Sequence, residues 1–289
     1  MPEKNDDDIL YHYCNVEAFL NIIQHSKLWL SDVLKSNDCE EVIGIRDKVN
    51  SEIVTRLSKF GFEATNAWNT WIQQEFHGNI YAACFSEHKD TLSQWRGYAE
   101  DGKGLVIGFS KTYLQQLQYP CNLRFGKVKY YDKDRSNSFI KSAANTSIKK
   151  MNIKGIGHVA LEQPGDFLLQ FPFYKNNSFS EEKEWRIVLI SHAAHKGNFN
   201  FGSVVGNIKI FLNEPQFRIN NDKKIVSYVE MDFSKVKREI VKEICIGPKS
   251  KVTQKDIVDL LNAHGYYDVP FNSKEPIPIH YSKSTYKEF

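Results

Sequence analysis

The hydrophobic pattern of this chain changes period from one segment to the next, and that irregularity constrains the fold more than any other feature. Short alternating or continuous apolar runs mark strands, and stripes at the helical period mark helices, but the two do not follow one another in a regular βαβ rhythm. A doubly wound parallel sheet needs that rhythm, whereas an α+β architecture does not. The expectation is a single-domain α+β fold with mixed or antiparallel sheets and flanking helices. No internal repeat and no Pro/Ser-rich linker divides the 289 residues, a length that by itself permits one domain or two.

Segment by segment, Ile9–Cys14 alternates as a strand, with Leu10, His12 and Cys14 on one face and Tyr11 and Tyr13 on the other. Asn15 can cap a helix whose apolar stripe is Val16, Phe19, Leu20, Ile22 and Ile23. Leu28–Ser31 reads as a short strand, Ser36-Asn37-Asp38 as the opening of a helix through about Phe60, and Glu63–Phe76 as a further helix. Ile80–Ser86 is a buried strand, Asp90 or Thr91 caps a short helix through Tyr98, and the turn Asp101–Gly104 leads into a strand at Leu105–Phe109. Gly126–Tyr131 resembles another strand, and Ser136–Gln163 is polar and helical in part. Glu182–Ile190 is a clear strand, followed by a loop to about Gly206. Lys209–Leu212, Lys224–Met231 and Ile244–Ile246 read as extended, and Thr253 with Asp256 starts a helix that Gly265 stops. Ile277–Tyr281 suits only an edge, because of Pro276 and Pro278.

Composition narrows the function classes. Hydrophobic residues at 41% and charged residues at 25% are enough to build a core and argue against disorder. The balance of 38 Lys and Arg against 35 Asp and Glu, a net +3, lacks the dense basic footprint of a dedicated nucleic-acid binder. The one basic run, Lys235 to Lys242, is broken by Glu239 and reads as a solvated helix face. Five cysteines, Cys14, Cys39, Cys84, Cys121 and Cys245, are odd in number and contain no C-x-x-C, so neither a disulfide framework nor a zinc site is expected. Cys84 and Cys245 lie in apolar runs and read as core residues. Residues 1–8 form an acidic tail without the apolar stretch of a secretory signal, and no apolar run has bilayer length. A cytoplasmic protein with no membrane partner is expected.

Two clusters can carry chemistry. In Glu182-Lys183-Glu184-Trp185-Arg186, an extended backbone puts Glu182, Glu184 and Arg186 on one face and Trp185, Ile187 and Leu189 on the other. Two carboxylates and a guanidinium at a strand start can polarise a sugar hydroxyl and stabilise a cationic transition state. The plainer alternative is a solvated ion pair, or a helix N-terminus that favours acids. The second cluster is Ser86-Glu87-His88 with Leu92-Ser93-Gln94-Trp95-Arg96-Gly97-Tyr98. There Arg96 can grip a phosphate with its fork of donors, and Trp95 or Tyr98 can stack on a planar ring. Equally, Trp95 can be a core aromatic and Arg96 can pair with Glu100. His192-x-x-His195 has no Cys or acid nearby, and no metal site is assigned. No phosphate loop, dinucleotide fingerprint or nucleophile elbow occurs.

Leu10-Tyr11-His12-Tyr13, Ser36-Asn37-Asp38 with Glu41, Cys84-Phe85-Ser86-Glu87, Ser93–Tyr98, Gly102-Lys103-Gly104, Glu182–Arg186, Tyr228-Val229-Glu230 and Ile246-Gly247-Pro248 together resemble a bacterial family known as domain of unknown function 2971. A remoter resemblance is to the ADP-ribosyltransferase superfamily, through the order of His12, the Phe85-Ser86 segment and Glu182-x-Glu184 along the chain. Cys14 and the Ser86 segment depart from that superfamily's usual residues, and Trp95-Arg96 has no counterpart in it. The resemblance implies an ADP-ribosyltransferase-like fold with NAD as substrate. Glu184 would stabilise the oxocarbenium ion as nicotinamide leaves, and Glu182 would activate the acceptor. His12 would hydrogen-bond a ribose and Ser86 would support the nicotinamide side; by their own chemistry and not by the resemblance, Tyr13, Trp95, Arg96, Tyr98 and Arg186 would complete the dinucleotide site. The partner would be a dinucleotide, with a protein or nucleic-acid acceptor in a transferase or water in a hydrolase, in a toxin or phage-defence setting. A non-catalytic nucleotide-sensing or protein-interaction module is the alternative. A metal-dependent nucleic-acid enzyme fits the charge and the spacing of ligands less well.

Overall fold

A computed structural model describes residues 9–35, 39–76, 79–116, 123–132, 136–149, 151–153, 159–161, 170–190, 201–205, 208–212, 214–219, 223–267 and 276–286. The acidic tail, Ser36–Asp38, Cys121, His192 and His195 lie outside these residues.

The strands are β1 (Ile9–Cys14), β2 (Lys27–Asp32), β3 (Ile80–Ser86), β4 (Leu105–Ser110), β5 (Leu123–Lys127), β6 (Lys129–Tyr131), β7 (Met151–Ile153) and β8 (Val159–Leu161). They continue with β9 (Tyr174–Asn176), β10 (Glu184–Ile190), β11 (Phe201–Val205), β12 (Ile208–Leu212), β13 (Gln216–Ile219), β14 (Ile225–Asp232), β15 (Val241–Ile246) and β16 (Ile279–Tyr281). A 12-stranded sheet runs β11-β12-β14-β2-β3-β1-β4-β15-β16, with β10 and β5 stacked outward from β3 and β13 attached to β14. Every pairing in it is antiparallel except that of β16, which lies parallel to β15. The fold is therefore α+β with a mixed, largely antiparallel sheet, as the absence of a βαβ rhythm predicts.

Alternation along the strands divides the sheet into two faces. One carries Leu10, Leu28, Leu30, Tyr81, Phe85, Ile107, Phe109, Ile187 and Leu189, all buried in the main core. Helix α1 (Val16–His25) covers this face with Phe19, Ile22 and Ile23, and the helix Gln254–Ala263 adds Ile257 and Leu261. Burying each such side chain contributes about 1.5–3 kcal/mol. The Asn15 side chain accepts from the Ala18 N–H and opens α1, and left-handed Ser26 closes it. Of the expected stripe, Val16 and Leu20 are exposed, since α1 rests on the sheet by a narrower line of contact. A second core lies among α2 (Cys39–Leu57), α3 (Phe62–Phe76) and, later in the chain, the helix Ser136–Lys149; there Trp68 is fully buried and its indole N–H donates to Asn50 Oδ1 at 2.7 Å. No helix among the described residues is long and apolar enough to cross a membrane.

Several boundaries differ from the sequence reading. Gly126–Tyr131 is not one strand: Val128 donates its N–H to Glu184 O, so β5 continues the large sheet while β6 leaves it to pair in parallel with β9. The polar stretch after 136 is a helix to Lys149, and beyond it β7 and β8 pair antiparallel. A strand, β11, occupies part of the span expected as a loop before 206. Most consequential, the strand expected from Glu182 begins at Glu184, because Asn177–Glu182 winds as a 3-10 helix and Lys183 is left-handed at φ 44°.

Candidate functional site

The sheet opens on one edge of β3. On its other edge β10 pairs along the whole strand, from Glu184 opposite Ser86 to Ile190 opposite Ile80. On the open edge β1 is joined only at Tyr11 opposite Ser86, and β2 only at Ser31 opposite Ala82 and Asp32 opposite Tyr81. Between these attachments β1 and β2 diverge, and a cleft of about 570 Å³ enters the gap. Its floor is formed by Ala82 and Cys84, which alternate with Tyr81, Ala83 and Phe85 of the core. Cys84, expected in the core, is the one exposed residue of β3.

One end of the cleft is a buried charge network. Arg186 closes a two-pronged bond on Glu184, Nε to Oε1 at 2.6 Å and Nη2 to Oε2 at 2.9 Å, and its Nη1 donates to Pro172 O at 2.7 Å. Lys175, only 1% exposed, lies 2.6 Å from Glu182 Oε2 and 3.4 Å from Glu184 Oε2. Tyr98 donates its hydroxyl to Glu182 Oε1 at 3.1 Å, and the Glu184 N–H donates to Tyr130 Oη at 2.9 Å. Burial pushes the Glu182 carboxyl above its ordinary range, more than the Lys175 bond and charge hold it down. For Glu184 burial also pushes upward, but the Arg186 charge and bonds, Lys175 and the Cys84 thiol together outweigh it and hold the carboxyl low. Two neighbouring acids thus diverge in proton affinity, an arrangement suited to one acting as a fixed anion and the other as a proton acceptor.

His12 reaches the cleft differently. It shares its face of β1 with Leu10 and Cys14, and its ring packs 5.8 Å from that of Phe85 and 6.5 Å from that of Phe109. By strand register Glu184 projects from the opposite face, level with Ser86 and Tyr11. The gap in the sheet is what lets both line one cleft. His12 Nδ1 lies 2.9 Å from Cys84 O. A carbonyl only accepts, so Nδ1 carries the proton and Nε2 is left as an acceptor. Burial holds the imidazole below its ordinary 6.5, against the opposing effect of the carbonyl bond.

The structure gathers some of the sequence-predicted residues and disperses others. His12, Tyr13, Tyr98, Glu182, Glu184 and Arg186 all border the cleft. Ser86 does not: it is buried, donating to Glu182 O at 2.8 Å and accepting from the His88 N–H, and so ties the 3-10 turn to β3. Trp95, expected to stack on a ligand, is fully buried on α4 (Leu92–Tyr98), edge-on to Tyr13 at 5.1 Å with its indole N–H on Asp90 Oδ1. Arg96 points away from the cleft, 6.0 Å from the Tyr286 ring, because adjacent positions on a helix face different directions. Sequence reasoning missed Lys175, whose acids are brought to it by the 3-10 turn, and also Cys84, Trp29 and Arg218 on the cleft wall. The position of Cys84 in β3, on the face opposite Tyr81 and Phe85, is the signal that marks it; nothing local marks the others. No group of three or more His, Cys, Asp or Glu side chains able to hold a metal occurs among the described residues.

Fold and site thus define an α+β protein with a charge-lined cleft in a split antiparallel sheet. Within that class, the model of a family described as "Protein of unknown function (DUF2971)" matches residues 94–187, a stretch containing Tyr98, Lys175, Glu182, Glu184 and Arg186. No curated protein and no solved structure matches the chain.

Proposed function

We propose that the cleft binds a nicotinamide dinucleotide and that its acid end cleaves the glycosidic bond, by ADP-ribosyl transfer or NAD hydrolysis. One observation carries this reading: His12 and Glu184, distant in sequence and on opposite sheet faces, border a single cleft. In the reaction the bond between the ribose C1′ and the pyridinium nitrogen breaks, and its electron pair leaves with nicotinamide, whose ring becomes neutral. The Glu184 carboxylate, held ionised, stands against the oxocarbenium ion that remains. Water or an acceptor hydroxyl adds to C1′ and its proton passes to Glu182, whose proton affinity burial has raised. His12 Nε2 accepts from a ribose hydroxyl, and Tyr98 or Tyr13 flanks the base.

The test is free nicotinamide after incubation with NAD. Glu184→Gln should cut release about 10²-fold or more, the scale expected for removing a principal electrostatic stabiliser, while thermal unfolding shows that it still folds. No release from the unaltered protein, or equal release from the variant, would remove the proposal. A second reading is favoured by the Arg186 fork, which occupies both Glu184 oxygens and offsets the charge a cation would need. In that reading the cleft binds a nucleotide without turnover, and the melting temperature rises with ligand while nicotinamide stays bound in NAD.

A further inference from the structure

Of the three acids lining the cleft among the described residues, Glu182 and Glu184 lie at the β10 end, while Asp32 adjoins Ser31 on β2, where burial pushes its carboxyl above its ordinary range toward the neutral form. Lys175 and Arg186 are each fixed to carboxylates at the β10 end. Arg218, on β13, reaches across β14 to the β2 wall, where its Nη2 donates to Ser31 Oγ at 3.2 Å and its guanidinium lies 5.6 Å from the Trp29 ring. Among the described residues its buried Nε has no hydrogen-bond partner and Arg218 forms no ion pair. Lys35, exposed on the same part of the rim, likewise forms none. A buried N–H left unpaired costs stability, so natural proteins leave few without a reason. A guanidinium lying over an indole and tied to a hydroxyl has its remaining donors restricted in direction, an arrangement that can grip a planar or tetrahedral oxyanion. Ser31 is level with Ala82 and Glu184 with Ser86, so the two ends lie about 13 Å apart along β3 at the usual strand rise.

We propose that Arg218, lying over the Trp29 ring, is a phosphate-gripping residue that seats an oxyanion of a nucleotide ligand at the end of the cleft away from the Glu182–Glu184 pair. The identity of the ligand rests on the nucleotide-binding reading above; the oxyanion site rests on Arg218 itself. Lys35 adds positive potential at the rim, and Trp29 offers a ring edge beside the phosphate. The chemistry recognised is a phosphate ester or pyrophosphate, and the neutral part of the ligand contributes less at this end.

Calorimetric titration with ADP, inorganic pyrophosphate and adenosine tests the assignment. The unaltered protein should bind ADP and pyrophosphate, and adenosine markedly more weakly. Arg218→Gln should weaken ADP and pyrophosphate binding about tenfold or more, the loss of one charged hydrogen-bonding group, and leave adenosine unaffected. Arg218→Lys retains the charge and the aliphatic cover over Trp29 and should fall between the two; it carries the test if the glutamine variant does not fold. Failure of the unaltered protein to bind ADP or pyrophosphate, or equal affinity in the variants, overturns the site. If ADP binds through Arg218 but NAD is not cleaved, the catalytic reading falls and this one stands. If nicotinamide is released with a KM for NAD that Arg218→Gln leaves unchanged, the reverse holds.

Discussion

At the scale of single residues, spacing in the sequence carries some information and contact across the fold carries the rest. Glu184 and Arg186 share a strand face because they are two apart, and this is legible in the order of residues alone. Glu182 joins them by a turn and not by strand alternation, so the expected grouping is right for a different geometric reason. Lys175 could not be read, since a lysine between an apolar run and an Asn pair gives no sign that it will be 1% exposed. His12 exemplifies a residue with two roles in view: it hydrogen-bonds the Cys84 carbonyl through Nδ1, and it offers Nε2 to the cleft. The first role makes a prediction about pH. The folded imidazole has its pKa below the 6.5 of the unfolded chain, so between those values the unfolded state binds a proton that the folded state does not. This contribution to stability is complete above 6.5 and is lost as pH falls through that window. His12→Asn, whose amide N–H can replace Nδ1–H, should flatten the fall in urea midpoint between about pH 7.5 and 5.5. Parallel curves for the two proteins would show that His12 is not the titrating group.

At the scale of elements, local signals are the ones that the sequence exposes. Thr253 and Asp256 form the reciprocal cap foreseen for the helix at Gln254–Ala263, and Gly265 follows with φ 67°. The turn Asp101–Gly104 also stands where expected, with Asp101 at φ 55°. Elements defined by distant partners were not legible: β9 exists because β6 lies beside it, and β13 because β14 does. Packing constrains some turns more tightly than their conformation suggests. A Cβ on Gly247 would lie 2.4 Å from Gly102 O and 2.6 Å from Gly104 O, both of them backbone atoms. Gly247→Ala should therefore cost about 1–3 kcal/mol by overpacking. Gly44, inside α2 with nothing within 4 Å of its added Cβ, should gain about 0.5–1 kcal/mol on the same substitution. Thermal unfolding of the two variants should move in opposite directions, and a common direction would contradict the packing argument.

At the scale of the whole molecule, the α+β class follows from the pattern of periods, but the split in the sheet does not. Both β1 and β2 read as ordinary strands, and neither contains a residue that announces where it will part from β3. The divergence comes from what each is attached to on its far side: β1 follows β4 along six paired residues, and β2 follows β14 along five. The two groups of strands are thus secured firmly to their own neighbours and only lightly to the strand they share. Such a joint is a mechanical weak line, and a molecule lodged in it would serve as a splint. Occupancy by ADP should slow amide hydrogen exchange in residues 9–14 and 27–32 together, while α2 and α3, which pack in a separate core, keep their rates. Slowing confined to one of the two strands would mean that the ligand rests on a single wing and leaves the seam unbridged.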